Sequence, residues 1–236
     1  MWLHYTPSGH IFISPEDDCN AIVDVMLATG YNEEFCLAQD FSPEFAARLM
    51  EAGFLLMSVN VADKGEDPFY LMFPKLHLTR SAMLFENLHV KKSIRRFLPR
   101  FELRADVDFD YIISRCIEKH GNDWLTPPLV GVLKSLRMRD DLSVMPVSFG
   151  VYREGELKAG EIGVALGRIY TSYSGYYEED NAGTVQMILM AKWLNENGFS
   201  FLDFGMPLDY KTDLGARNIS PLLFVELFRE GKKPGA

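Results

Sequence analysis

Cysteine is scarce in this chain. Its three copies, Cys19, Cys36 and Cys116, stand far apart with no CxxC pair, which excludes a disulfide framework or a zinc ribbon as the organising device and suits a reducing cytoplasm. Long apolar runs are missing too. None approaches the roughly 20 residues that a membrane span needs, and the start, Met1-Trp-Leu-His-Tyr5, lacks the basic-then-apolar make-up of an export signal. A soluble, cytoplasmic protein without a membrane partner is the expectation. Excess positive charge is also absent: the net charge of -9 excludes a protein that coats nucleic acid indiscriminately, because phosphate binding needs clustered Lys and Arg. His77, His89 and His120 lack metal-ligand spacing, so no metal is expected. Internal repeats, low-complexity tracts and flexible linkers do not occur, and any two domains are expected to pack tightly.

What is present is enough apolar material, 47% of 236 residues, to bury a full core in one large or two small domains. The reading divides the chain into a small α+β domain over 1–75 and a larger domain over 76–236. In the first, Pro7-Ser8-Gly9 turns between short strands, and Ile22, Val25 and Met26 mark a helix ending near Gly30. Ser42-Pro43-Glu44 starts another helix with Ser as cap, and strands follow at 55–61 and 69–73. The second part opens on Lys75-Leu-His-Leu-Thr-Arg-Ser81. Asp106 is placed to cap a helix over Phe109, Ile112, Ile113 and Cys116. Trp124 lies in a loop that leads into a helix over 129–136.

Residues 162–205 organise the rest. Gly163 to Tyr177 alternates apolar with small or polar residues around a Gly167 turn, as a half-buried hairpin does. Val185, Ile188, Leu189 and Trp193 recur at helical spacing after Asn181, and Asn197-Gly198 stops that helix. Phe199-Ser-Phe-Leu-Asp-Phe204 returns as a strand. Strand, helix, strand in this order places the two strands side by side under the helix, and adding the strands from 144 onward gives a mixed, mostly antiparallel sheet. The fold class is therefore α+β.

Several residues can carry chemistry, and each has a plainer reading. Lys91, Lys92, Arg95, Arg96, Arg100 and Arg104 are six of the 24 basic residues within one short stretch; such a run is a solvated helix face or a local phosphate-binding patch. Trp124 packs against a core or offers a stacking platform. Asp203, at the end of its strand, caps a turn or works chemically. Tyr173, Tyr176 and Met187 are core residues or the lining of an apolar pocket. Glu178-Glu179-Asp180 complements the start of the following helix or binds a basic group.

The order of strands and helix resembles the acyltransferase fold of the GCN5-related N-acetyltransferases. Leu76-His-Leu-Thr-Arg-Ser81, Trp124-Leu-Thr126, Asn181-Ala182, Leu202-Asp203 and Leu214-Gly-Ala216, in this order and spacing, resemble the bacterial leucyl/phenylalanyl-tRNA–protein transferases more closely. The resemblance runs from about Gln39 to Leu227. It implies transfer of Leu or Phe from charged tRNA to the α-amino group of a protein beginning with Arg or Lys, which marks that protein for degradation. Aminoacyl-tRNA is then the donor substrate, with no further cofactor. It also implies that Trp124 lies near the terminal adenosine and that Asp203 is the active-site aspartate. Thr126, Tyr173, Tyr176, Asn181 and Gly205 are expected around the substrate, and Lys91, Lys92, Arg95, Arg96 and Arg100 hold the acceptor stem. The family's Gln two residues beyond the aspartate is Gly205 here. Its Glu on the preceding strand aligns with Tyr173, its Phe-Pro-Trp segment reads Phe54-Leu-Leu-Met57, and its later Trp-Trp-Ser-Pro is missing.

Attack on an activated ester needs little beyond a positioned neutral amine, and an α-amino group of pKa about 7.7–8.0 is partly neutral already. On this reading Asp203 orients that amine and accepts its proton. Two alternatives stand beside it. An acyl-CoA-dependent N-acetyltransferase would hold pyrophosphate at the start of the long helix, where this chain has three acids. The other is a protein that binds aminoacyl-tRNA or N-terminal segments without turnover.

Overall fold

The computed structural model describes residues 3–232. In chain order the elements are β1 (His4–Tyr5), β2 (Ile11–Phe12), α1 (Cys19–Thr29), α2 (Pro43–Glu51), β3 (Leu55–Asn60), β4 (Tyr70–Lys75), β5 (Arg80–Leu84), α3 (Lys92–Arg95), β6 (Glu102–Ala105) and α4 (Phe109–His120). There follow α5 (Pro127–Arg137), β7 (Val144–Arg153), β8 (Glu156–Leu166), β9 (Ile169–Tyr177), α6 (Ala182–Glu196), β10 (Phe201–Gly205), α7 (Asp209–Asp213), β11 (Arg217–Ile219) and α8 (Pro221–Gly231). The chain packs as two compact units: Met1–Leu78 with Gly121–Val144, and Thr79–His120 with Met145–Ala236.

Unit 1 holds the β1–β2 and β3–β4 hairpins. Asp18 caps α1 by accepting from the Asn20 and Ala21 amides, and Gly30 ends it in the left-handed region at φ 63, as a helix stop requires. Ser42 precedes α2 as expected, but its side chain makes no cap bond; its hydroxyl turns to Asp40 instead. The expected division after residue 75 differs from these units in two respects: the first segment of unit 1 runs on to Leu78, and a later stretch rejoins it. Residues 121–144 return to unit 1, where α5 buries Leu129, Val132, Leu133 and Leu136 and the Ser58 amide bonds the Trp124 carbonyl at 2.9 Å. A contiguous reading of sequence has no means of seeing such a return.

Unit 2 is built on one seven-stranded sheet in the order β11-β5-β10-β9-β8-β7-β6. β9 and β10 pair in parallel with α6 between them in the chain, so the expected strand-helix-strand crossover is present. β8 and β9 form the expected antiparallel hairpin, and the sheet is mixed and mostly antiparallel. Two strands escape the sequence reading: β5 and β11, which run antiparallel beside β10 and extend the sheet past it. Met83, Phe149, Tyr170, Met190, Leu194, Leu202 and Phe204 form one buried cluster on the α6 side, while α4 packs on β8 and β9. Two register shifts interrupt the sheet. Ile162 opposes Ser174 and Gly163 opposes Ser172, so Tyr173 is the extra residue of a bulge; on β10, Phe204 is bypassed in the same way between Asp203 and Gly205. Bulges of this kind re-aim side chains and recur beside functional sites.

Candidate active site

Asp203 lies in the middle of β10, which is buried along its whole length. Neighbouring β5 delivers Arg80 to it. Arg80 Nε meets Asp203 Oδ1 at 2.8 Å and Nη2 meets Oδ2 at 2.6 Å, a two-pronged contact in which the side chains are 1% and 0% exposed. Thr171 on β9 donates to Oδ2 at 3.0 Å, and the Gly205 amide donates to Oδ1 at 2.9 Å. A carboxylate has about four lone-pair directions, and here all four are occupied. The role of proton acceptor expected for Asp203 needs an open one. This geometry suits a residue that positions its neighbours. Arg80 also lies over the Phe224 ring of α8 at 4.3 Å, and its Nη1 is buried without a hydrogen-bond partner.

Gly205, where the family carries Gln, takes φ 69. That left-handed geometry costs a residue with a Cβ about 1–2 kcal/mol, so the turn itself favours glycine. Carbonyls on both sides of it, Phe204 O and Met206 O, accept from Lys211 Nζ at 2.7 and 2.9 Å. Lys211 is 7% exposed. Burial lowers its pKa to about 8, against the pull of Asp203 and Glu161.

Glu161 on β8 is the second carboxylate of this region. Desolvation pushes its pKa up to about 7 despite Ser172, Gln186 and Lys211. Its Oε2 accepts from Gln186 Nε2 of α6 at 3.0 Å, whereas Oε1 has no hydrogen-bond partner, nor has the buried Tyr170 hydroxyl. Two carboxylates and two cations thus share the interior of unit 2. Raised and lowered pKa values grouped in this way mark candidate functional sites.

The remaining expected residues fall in both units. In unit 2, Tyr173 is the bulge residue of β9. Tyr176 is buried at 4% exposure with its ring against Gly160, and its hydroxyl, unpartnered, has its pKa raised by burial. Asn181 sits in the left-handed region at φ 69 immediately before α6. Glu178 pairs with Arg115 and Glu179 with Arg153, so two of the three acids before α6 are neutralised by side chains rather than serving the helix alone. Lys91, Lys92, Arg95, Arg96 and Arg100 are all exposed, on and around the short helix α3. Lys91 pairs with Asp213 at 2.5 Å, and Arg96 and Arg100 lie over the Phe97 ring at 4.9 and 5.3 Å. Below them Ile94, Phe97 and Leu98 pack against the core. In unit 1, Trp124 is half-buried, and Thr126, 2% exposed, shares a hydrogen bond with Ser58. Among the described residues, no group of His, Cys, Asp and Glu side chains is arranged to hold a metal ion, and no helix is long and apolar enough to cross a membrane.

Sequence reasoning misses Arg80, Glu161 and Lys211. Arg80 belongs to a strand whose sequence has an irregular pattern, 123 residues from its partner. Glu161 does leave a signal: it is the only charged residue in Ala159-Gly-Glu-Ile-Gly-Val-Ala-Leu166, a run apolar on both faces, where an acid is buried whichever way it points. Lys211 leaves none, because Asp209-Tyr-Lys-Thr-Asp213 reads as a polar surface turn.

The elements and the buried cluster together define an α+β protein whose mixed sheet carries a charged centre on its parallel strand β10. Residues 82–229 match the family model described as leucyl/phenylalanyl-tRNA protein transferase, and the chain belongs to that family. Proteins named leucyl/phenylalanyl-tRNA–protein transferase are 31% identical over 152 residues in Pseudomonas paraeruginosa and 33% identical over 150 residues in Pseudomonas putida. The first match covers 62% of this chain and 66% of the relative; the second covers 61% and 65%. The matched region thus spans just under two thirds of the length of these relatives. Among solved structures, the crystal structure of FemX aligns with 12% identity and a TM-score of 0.48 over 92% of this chain and 81% of that one. The structure of L-PGS from Bacillus licheniformis aligns with 10% identity and a TM-score of 0.45 over 98% and 89%.

Proposed function

We propose that this protein is an aminoacyltransferase: it moves Leu, Phe or a similar apolar amino acid from aminoacyl-tRNA to the N-terminal α-amino group of an acceptor protein with a basic first residue. What supports the reading above all is family membership over residues 82–229, a span that includes Asp203 and the Gly205 turn. The exposed basic helix α3 supports it further, since cations on an apolar base suit the phosphates of an acceptor stem. Acceptor proteins so marked would be directed to degradation, in the cytoplasm.

In the reaction the neutral amine attacks the ester carbonyl carbon. A C–N bond forms, the C–O bond to the ribose breaks, and the proton lost by nitrogen is balanced by the one gained by the leaving oxygen. The donor is already activated, so holding amine and ester together supplies much of the rate. Asp203, saturated by Arg80, Thr171 and Gly205, contributes by fixing the end of β10; Tyr173, Tyr176 and Asn181 of unit 2 are assigned to substrate contacts, and the resemblance alone gives Trp124 and Thr126 of unit 1 such a role.

A second reading, a protein that binds aminoacyl-tRNA or N-terminal segments without turnover, is favoured by the absence of an open lone pair on Asp203. One experiment separates the readings. Radiolabelled Leu or Phe on charged tRNA is offered with a peptide beginning with Arg or Lys, with acetyl-CoA alongside as a competing donor. Label that reaches the peptide only through tRNA is the expected result. Binding of charged tRNA without transfer supports the second reading, and acetylation from CoA overturns both.

A further inference from the structure

We propose that Lys211 is a positioning residue for acyl transfer, holding the Gly205 turn through its ammonium group, and that the buried Glu161 is a second acid, after Asp203, that helps to keep that group protonated. The inference rests on the transferase reading and adds two residues to it.

The turn after β10 is clamped from both sides. Asp203 Oδ1 takes the Gly205 amide at 2.9 Å, while Lys211 Nζ takes the carbonyls on either side of Gly205. Bonds from a charged donor are about twice as strong as neutral ones, so the clamp tightens when Lys211 is protonated and loosens when it is not. What faces Lys211 decides that. Asp203 on β10 and Glu161 on β8 favour the ammonium, and Arg80 on β5 opposes it. The rings of Phe204 and Tyr210 lie 5.9 and 5.8 Å from Nζ. On its own helix, Asp209 and Asp213 are exposed.

Of the two facing carboxylates, Asp203 already shares its charge with Arg80 through two bonds. Glu161 has no such cation. Its one hydrogen-bond donor, the Gln186 amide, is neutral, and Oε1 is buried and unbonded. A buried acid left this incomplete costs stability, and its charge adds to that of Asp203 in favouring the Lys211 ammonium. The two side chains therefore titrate as a linked pair.

The test is the pH dependence of transfer in the full chain, with uncatalysed ester hydrolysis subtracted. Deprotonation of the acceptor amine makes the rate rise with pH, whereas loss of the Lys211 proton makes it fall, so the two limbs have opposite signs. Wild type is expected to show a falling limb near pH 8. Glu161→Gln should move that limb to lower pH. Lys211→Arg, charged throughout, should abolish it. Lys211→Met should lower kcat about tenfold to hundredfold, as misplacement of a reacting group does, with charged-tRNA affinity unchanged. A limb that stays in place in Glu161→Gln, or full kcat in Lys211→Met, overturns the proposal. Hydrogen exchange of the amides of 204–211, as protection relative to the unfolded rate, provides a second readout. Protection should fall as pH passes 8 in wild type and at lower pH in Glu161→Gln. If wild type transfers nothing, the transferase reading fails by itself, and protection that is the same on both sides of pH 8 in wild type, and the same in Glu161→Gln, would then overturn the clamp as well.

Discussion

Arg80 and Asp203 meet through two parallel bonds at 2.8 and 2.6 Å, in a part of the sheet that leaves both side chains out of contact with water. Such a pair has given up the hydration of two ions, so each partner depends on the other. Truncating either strands a buried charge, which costs about 3–5 kcal/mol. Asp203→Leu or Arg80→Met should lower the unfolding free energy by that amount in urea melts, and the double variant should be far less destabilised than the sum of the two. Additive effects in the cycle would show that the residues do not act as a unit.

Glu161 gives stability a pH dependence of known sign. Its pKa is about 7 in the folded protein against an ordinary value of 4.5. Between these two values the folded state binds more protons than the unfolded one, so stability falls as pH rises through that window. Lys211 works in the opposite sense at higher pH: its lowered value, about 8, makes stability rise between pH 8 and 10.5. The Glu161 contribution is roughly 3 kcal/mol, and in Glu161→Gln the fall between pH 4.5 and 7 should flatten by that amount. Denaturant melts at successive pH values measure it.

Gly205 at φ 69 makes a prediction about the family's Gln. Gly205→Gln should destabilise by about 1–2 kcal/mol, because only glycine adopts this geometry without cost. If the variant is as stable as wild type, the turn is free to rearrange and the Lys211 clamp is weaker than its bond lengths indicate.

The exposed cations can be tested without disturbing the fold. Replacing Lys92, Arg95, Arg96 and Arg100 together by Ala should leave thermal stability nearly unchanged while weakening charged-tRNA binding. The slope of log affinity against log salt should become shallower by about 0.7–0.9 for each phosphate that the variant no longer neutralises. An unchanged slope would assign these side chains to a merely solvated face.

Much of this arrangement is legible from periodicity. Val185, Ile188 and Leu189 announce α6, and Phe201 to Phe204 announce a strand, because each pattern is local and strong. β5 is not legible: it opens on Arg80-Ser81 and its apolar part, Ala82-Met-Leu84, is too short to announce a strand, since its arginine is buried by an ion pair with a residue far along the chain. The assignment of Asp203 shows the same limit. Its place on a strand is readable, although the strand runs on to Gly205 and leaves it in the middle rather than near the end, and whether its lone pairs are open depends on Arg80, Thr171 and the Gly205 amide, which only tertiary structure assembles. Gly215 marks the opposite case. A Cβ there would come within 1.9 Å of the Asn87 carbonyl oxygen, so the Leu214-Gly-Ala216 motif has a steric cause that the sequence displays without explaining.

The route of the chain has a consequence for how the protein is made. Unit 1 takes its last pieces from residues 121–144, yet residues 79–120 belong to unit 2. As the polypeptide leaves the ribosome, residues 3–78 emerge before α5, so the Ser58 amide has no Trp124 carbonyl to bond. Completion waits on closure of a loop that is itself an unfinished part of another core, and contacts between residues so distant in sequence form slowly. The N-terminal segment therefore spends part of its synthesis with the α5-binding surface of α2 and β3 uncovered, a period in which a nascent-chain chaperone has something to hold.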